Sequence, residues 1–133
     1  MTEVFTMRLD EIQPSQLFIS SEKLSQVMRD FAPITPDTLP PIPVKELRGK
    51  TVLTDGHTRA LAALLSNLSE VSVFWDEDDM DWEAYEICVD WCEEEGIRTI
   101  AYLRDRIVPP ANYEELWLNR CAEMHRQLEA GRG

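Results

Sequence analysis

The chain has 133 residues, 44% hydrophobic and 29% charged, with a net charge of −12 from 25 acids and 13 bases. That is the balance of an ordinary soluble globular protein, and the length suits one domain with a real core rather than two. Broad acidity repels phosphate backbones and argues against DNA as the main partner, although one local basic pocket can still hold a small anion.

The opening stretch, "MTEVFTMRLDEIQP", lacks both a basic n-region and an apolar h-region, so no signal peptide is expected. No apolar run approaches the roughly 20 residues that span a bilayer, and the default location is the cytoplasm. Residues 3–9 alternate as a first strand. "IQPSQLFIS" is a turn-rich connection around Pro14. Ser20 or Ser21 then caps a helix through "EKLSQVMRDF", with Leu24, Val27, Met28 and Phe31 on one face. "APITPDTLPP" carries four of the eight prolines and reads as an ordered loop or lid. "IPVKEL" and "KTVLTD", joined through Arg-Gly, predict a hairpin. Leu61, Leu64, Leu65 and Leu68 recur at helical spacing, and "EVSVFWD" alternates as a strand.

Residues 70–97 hold 12 acids and no base, and the remaining 13 acids balance the 13 bases. The run Asp76–Asp81 lacks the spacing of a calcium loop and reads as a solvated start to a helix. Over 81–95, Trp82, Tyr85, Cys88, Val89 and Cys92 form an apolar stripe opposite Glu83, Glu86, Asp90, Glu93 and Glu94, and Gly96 ends the helix. Cys88, Cys92 and Cys121 are odd in number and lack CxxC spacing, which predicts reduced thiols packed as small hydrophobes. Thr99 caps a short helix to about Arg106. Pro109 and Pro110 break the chain before a final helix lined by Tyr113, Leu116, Trp117, Cys121, Met124 and Leu128.

The junction Thr54-Asp55-Gly56-His57-Thr58-Arg59 holds more chemistry than a turn needs. A helix N-terminus exposes unpaired N–H groups and a partial positive charge, and a glycine lets an anion approach them. His57, Thr58 and Arg59 supply the first amides, Arg59 adds a bidentate guanidinium, and Thr58 adds a hydroxyl. His57 can donate a hydrogen bond or move a proton. Asp55 would repel a phosphate unless it holds Mg²⁺ or orients a hydroxyl nucleophile. Neither GxxxxGK[ST] nor GxGxxG is present.

With "IQPSQL", "PIPVKELRGKTVLTDGHTRALAA" and the strand after it, residues 5–76 resemble the ParB/sulfiredoxin-like superfamily. Gly56-His57-Thr58-Arg59 falls on that family's phosphate-gripping Gly-x-x-Arg box. The resemblance implies an α+β fold for residues 1–133, with a small mixed sheet and helices to about residue 76 and a helical extension over 77–133. It implies nucleotide binding with Mg²⁺, with ATP or ADP as first candidates and CTP behind them. "LTDGHTRA" looks most like the branch of free-serine kinases. On that match Asp55 and Glu22 are the catalytic acids, with His57 a further proton carrier and Asp55 the metal ligand. Sulfiredoxins carry cysteine and the DNA-partitioning CTPases usually carry glutamate where this chain has His57, which sets both of those activities aside.

Three functions follow. The first is a nucleotide-dependent phosphotransferase acting on a small hydroxyl compound such as free serine. The second is a non-enzymatic nucleotide-sensing or adaptor module, in which ligand orders the 32–43 loop and the acidic 83–94 face meets a basic partner. A nuclease, the third, fits poorly with the charge.

Overall fold

The computed structural model describes residues 3–133; Met1 and Thr2, which open the stretch read as lacking a leader, lie outside it. Val4–Arg8 forms β1, and a 3-10 turn at Leu9–Glu11 turns the chain. Gln13 then runs beside the edge strand at Lys50–Leu53, its N–H donating to Thr51 O and its carbonyl accepting from Leu53 N. Ile19–Ser20 is β2. The Ser20 hydroxyl accepts from Lys23 N and starts α1 (Ser21–Asp30), which buries Leu24. The proline-rich stretch contains no helix, in keeping with four residues that fix φ and lack an N–H donor.

Ile42–Leu47 (β3) and Lys50–Leu53 (β4) pair as the expected hairpin. Arg48 and Gly49 turn it with φ of +51° and +79°, the left-handed pair that matches strand twist. α2 (His57–Leu65) leads to β5 (Glu70–Trp75), which lies parallel to β3 and antiparallel to β1. The sheet order is therefore β1-β5-β3-β4. It is a small mixed sheet, and the fold is α+β with a helical C-terminal extension.

That extension begins with α3 (Trp82–Glu94), capped by the Asp81 carboxylate and ended at Gly96. Its buried residues include Cys88, Val89 and Cys92, the expected stripe. Beyond it the structure departs from the pattern in three places. Thr99 makes no side-chain cap, and only Ile100–Leu103 is helical, as a 3-10 turn. Ile107–Val108 (β6) pairs in parallel with β2, two residues too short to leave a periodic signal. The last helix is α4 (Pro110–Tyr113), a π turn (Glu114–Leu118) and α5 (Asn119–Gly131). The π turn adds a residue to the pitch. Tyr113 and Trp117 stay buried while Leu116 swings to the surface. Leu65, one of the leucines at helical spacing, is likewise exposed because the buried face of α2 is built on Ala60, Leu61 and Ala63.

One core unites the parts, since Tyr113, Trp117 and Met124 share a cluster with the sheet residues Val44, Leu53 and Val73. The acidic face of α3 meets bases from its own chain. Arg48 pairs with Asp90 and Glu86, Lys50 with Glu93, and Arg132 with Asp81 and Glu83. No helix among the described residues is long and apolar enough to cross a membrane.

Candidate functional site

Gly56 sits at the mouth of α2 with φ +76°, a conformation that favours glycine. It also has no room for a side chain. A Cβ there would stand 2.9 Å from Ile42 Cγ2 and 3.0 Å from Arg59 Nη2. The Arg59 guanidinium thus folds back over the glycine, while its Nη1 donates to the carbonyls of Pro41 (2.9 Å) and Pro40 (3.3 Å). Glycine and arginine of the box interlock, and together they tie down the proline-rich loop.

Asp55 is exposed, and its Oδ1 accepts from Gly56 N at 2.8 Å, leaving Oδ2 free of that bond. The segment leading into it is held from three sides. Ser15 Oγ donates to Leu53 O at 2.6 Å, Tyr85 Oη donates to Thr54 O at 3.0 Å, and Thr54 Oγ1 donates to Asp76 Oδ2 at 2.8 Å. Burial, with Asp55 and Asp76 nearby, pushes the Tyr85 phenol up to about 12, so it remains a donor.

His57 opens α2. Its side chain is buried, and Nε2 accepts from Ser15 N at 2.9 Å. Burial drives its pKa down to about 4, with Asp55 pulling weakly the other way. A neutral ring that accepts at Nε2 carries its proton on Nδ1. The imidazole therefore locks the "IQPSQL" segment to the start of α2 through Ser15 N.

A cleft of about 530 Å³ opens over this corner. Asp55, Gly56, His57, Thr58 and Arg59 line one side, and Lys23 and Val27 of α1 with Phe31 just past its end line the other, with Gln16 and Tyr113 between. Gln16 Nε2 donates to Tyr113 Oη at 3.0 Å, and Lys23 Nζ lies 5.4 Å from the centre of the Tyr113 ring. The cleft brings together two cations, the first amides of α2 and apolar surface from Val27, Phe31 and Tyr113. Such an arrangement can take an anion at one end and a flat ring at the other.

Glu22, matched to a catalytic acid by resemblance, is exposed on the first turn of α1 and is not among the residues lining this cleft. Its neighbour Lys23 is. Lys23, Gln16 and Tyr113 escaped sequence reasoning because they converge only in the fold. The one available hint was Lys23 at helical spacing from Val27 and Phe31.

Asp55 and Arg59 also form one wall of a second opening of about 510 Å³, bounded by Asp76, Asp78 and Tyr85. Among the described residues no three His, Cys, Asp or Glu side chains form a metal-binding group. Mg²⁺ bound through one or two carboxylates and the substrate's phosphates needs no such group, and Asp55 offers one carboxylate at the cleft.

No protein-family model matches the chain, and no curated protein does. Among solved structures, the chain is similar to protein Atu1540 from Agrobacterium tumefaciens, with 12% identity and a TM-score of 0.48. That similarity covers 74% of this chain, which spans only 50% of Atu1540. It is also similar to sulfiredoxin from Arabidopsis thaliana, with 18% identity over 57% of this chain and 86% of that one, at a TM-score of 0.45. Likenesses of this degree carry no argument about activity.

Proposed function

We propose that the protein binds a nucleotide di- or triphosphate in the cleft over Gly56 and transfers a phosphoryl group to a small hydroxyl compound, free serine being the first candidate. The observation that carries this reading is the interlock of Gly56 and Arg59, which sets a guanidinium against the bare end of α2. Arg59 spends Nη1 on two proline carbonyls and keeps Nε and Nη2 for oxygens of a ligand. Lys23 adds a second positive charge across the cleft, and Val27, Phe31 and Tyr113 offer a surface for a base. Phosphoryl transfer needs little beyond positioning and charge stabilisation, so a small site suffices.

Asp55 is the acid best suited to orient the attacking hydroxyl, because His57 is engaged and Glu22 lies off the cleft. Mg²⁺ would be held by Asp55 together with the phosphates, where it would neutralise their charge.

A second reading, nucleotide sensing without turnover, is favoured by one observation. The Arg59 bonds to Pro40 and Pro41 link the anion corner directly to the proline-rich loop, so ligand at the corner changes what holds that loop.

The test is a thermal-shift series with ATP, ADP and CTP with and without Mg²⁺, followed by turnover assays with serine and other small alcohols. Stabilisation that requires the intact Arg59, with turnover lost in Asp55→Ala, supports phosphotransfer. Stabilisation without turnover supports sensing. A melting point unmoved by every nucleotide sinks both.

A further inference from the structure

A separate cavity of about 320 Å³ lies between α3 and α5, bounded by His57, Tyr85, Cys88, Trp117 and Cys121 among others. Two of the three cysteines therefore line one space, on different helices. The helices are held together beside them, because Trp91 of α3 meets Trp117 edge to face with ring centres 6.1 Å apart. Arg120, next to Cys121, lies with its guanidinium 4.1 Å from the centre of the Trp91 ring. Cys88 is buried at 7% exposure, whereas Cys121 is only partly covered.

From this placement we propose that Cys88 and Cys121 are an oxidisable pair that closes into a disulfide bridging α3 to α5. The two side chains interact, and this pushes the Cys88 thiol up and holds the Cys121 thiol below its ordinary value, with Arg120 helping the latter. The partly exposed Cys121 is the attacking thiolate and the buried Cys88 resolves the intermediate. The oxidant is a low-molecular-weight disulfide. Cys121 sulfur attacks one of its sulfurs, forming a mixed disulfide and expelling one thiolate. Cys88 sulfur then attacks Cys121 sulfur and expels the second thiolate, which takes the Cys88 proton. Two electrons pass to the reagent, which leaves as two thiols. Cys92 takes no part, since it is fully buried, donates to Gln16 O at 3.6 Å, and is pushed up to about 12 by that burial.

The bridge would anchor α5 and, through the continuous helix before it, the Tyr113 wall of the cleft. It is independent of what the cleft binds. The experiment treats the full chain with oxidised glutathione and maps thiols and peptides by mass spectrometry. Free thiols are expected to fall from three per chain to one. A single linked peptide pair should join Cys88 to Cys121, and dithiothreitol should reverse it. Cys88→Ser should trap one glutathione adduct on Cys121, and Cys121→Ser should acquire neither adduct nor bridge. Three free thiols after prolonged oxidation of the wild-type chain, or a bridge that uses Cys92, overturns the proposal whether or not the variants fold.

Discussion

Strand β4 lies between two glycines with almost the same backbone, φ +79° at Gly49 before it and +76° at Gly56 after it. Around Gly49 nothing comes within 4 Å of where a Cβ would stand, whereas at Gly56 Ile42 and Arg59 close to 2.9 and 3.0 Å. The first glycine only lets a hairpin turn. The second lets a turn form and lets an arginine pack onto backbone at the mouth of a helix. Conformation alone does not distinguish a connection from a built site; the surroundings do.

Substituting each glycine breaks the pair apart. Gly49→Ala meets only the left-handed backbone penalty, about 1–2 kcal/mol. Gly56→Ala adds overpacking of about 1–3 kcal/mol against Ile42, so it should lose about 2–5 kcal/mol in urea unfolding and lose nucleotide-dependent stabilisation as well. Equal losses at the two sites would mean the Gly56 corner is no more crowded than the hairpin.

The corner should also respond to acid through His57. Unfolded, the imidazole titrates near 6.5; folded, near 4. Between those values the unfolded chain binds the extra proton, so stability falls as pH drops from about 6.5 to about 4, by about 3 kcal/mol in total. His57→Gln keeps an acceptor for Ser15 N but cannot titrate. Its unfolding free energy should lack that part of the acid slope, measured against wild type at matched pH. Parallel slopes would show that His57 is not buried neutral.

Smaller effects separate the two ends of β4 further. Arg59→Ala should weaken phosphate binding by roughly 10- to 100-fold, the scale of one charge-assisted hydrogen-bonding group, in calorimetric titration with ADP. Arg48→Ala, at the hairpin end, removes an exposed pairing with Asp90 and Glu86 and should leave both binding and the melting point within error.

Much of the fold was legible because it is locally encoded. The Ser20 cap, the Arg-Gly hairpin and the cysteine stripe of α3 each announce themselves within a few residues. The glycine turn into α2 was legible for the same reason. What stayed hidden depended on distant partners. Nothing near His57 signals that Ser15, 42 positions away, takes its ring nitrogen. Lys23 and Tyr113 reach the cleft from opposite ends of the chain, and the π turn at 114–118 shifts Leu116 outward without a breaker residue to mark it. The acidic 83–94 face reads in the sequence as a surface for a basic partner, yet Arg48, Lys50 and Arg132 already meet part of it.

The central claim is tested most directly by following backbone amide resonances during titration with inorganic pyrophosphate and Mg²⁺. The account predicts saturable shifts at His57, Thr58 and Arg59, with Gly49 unmoved as the internal control. Amides of the α2 first turn that stay in place while pyrophosphate is raised to saturating levels, or shifts confined to other parts of the chain, would contradict it.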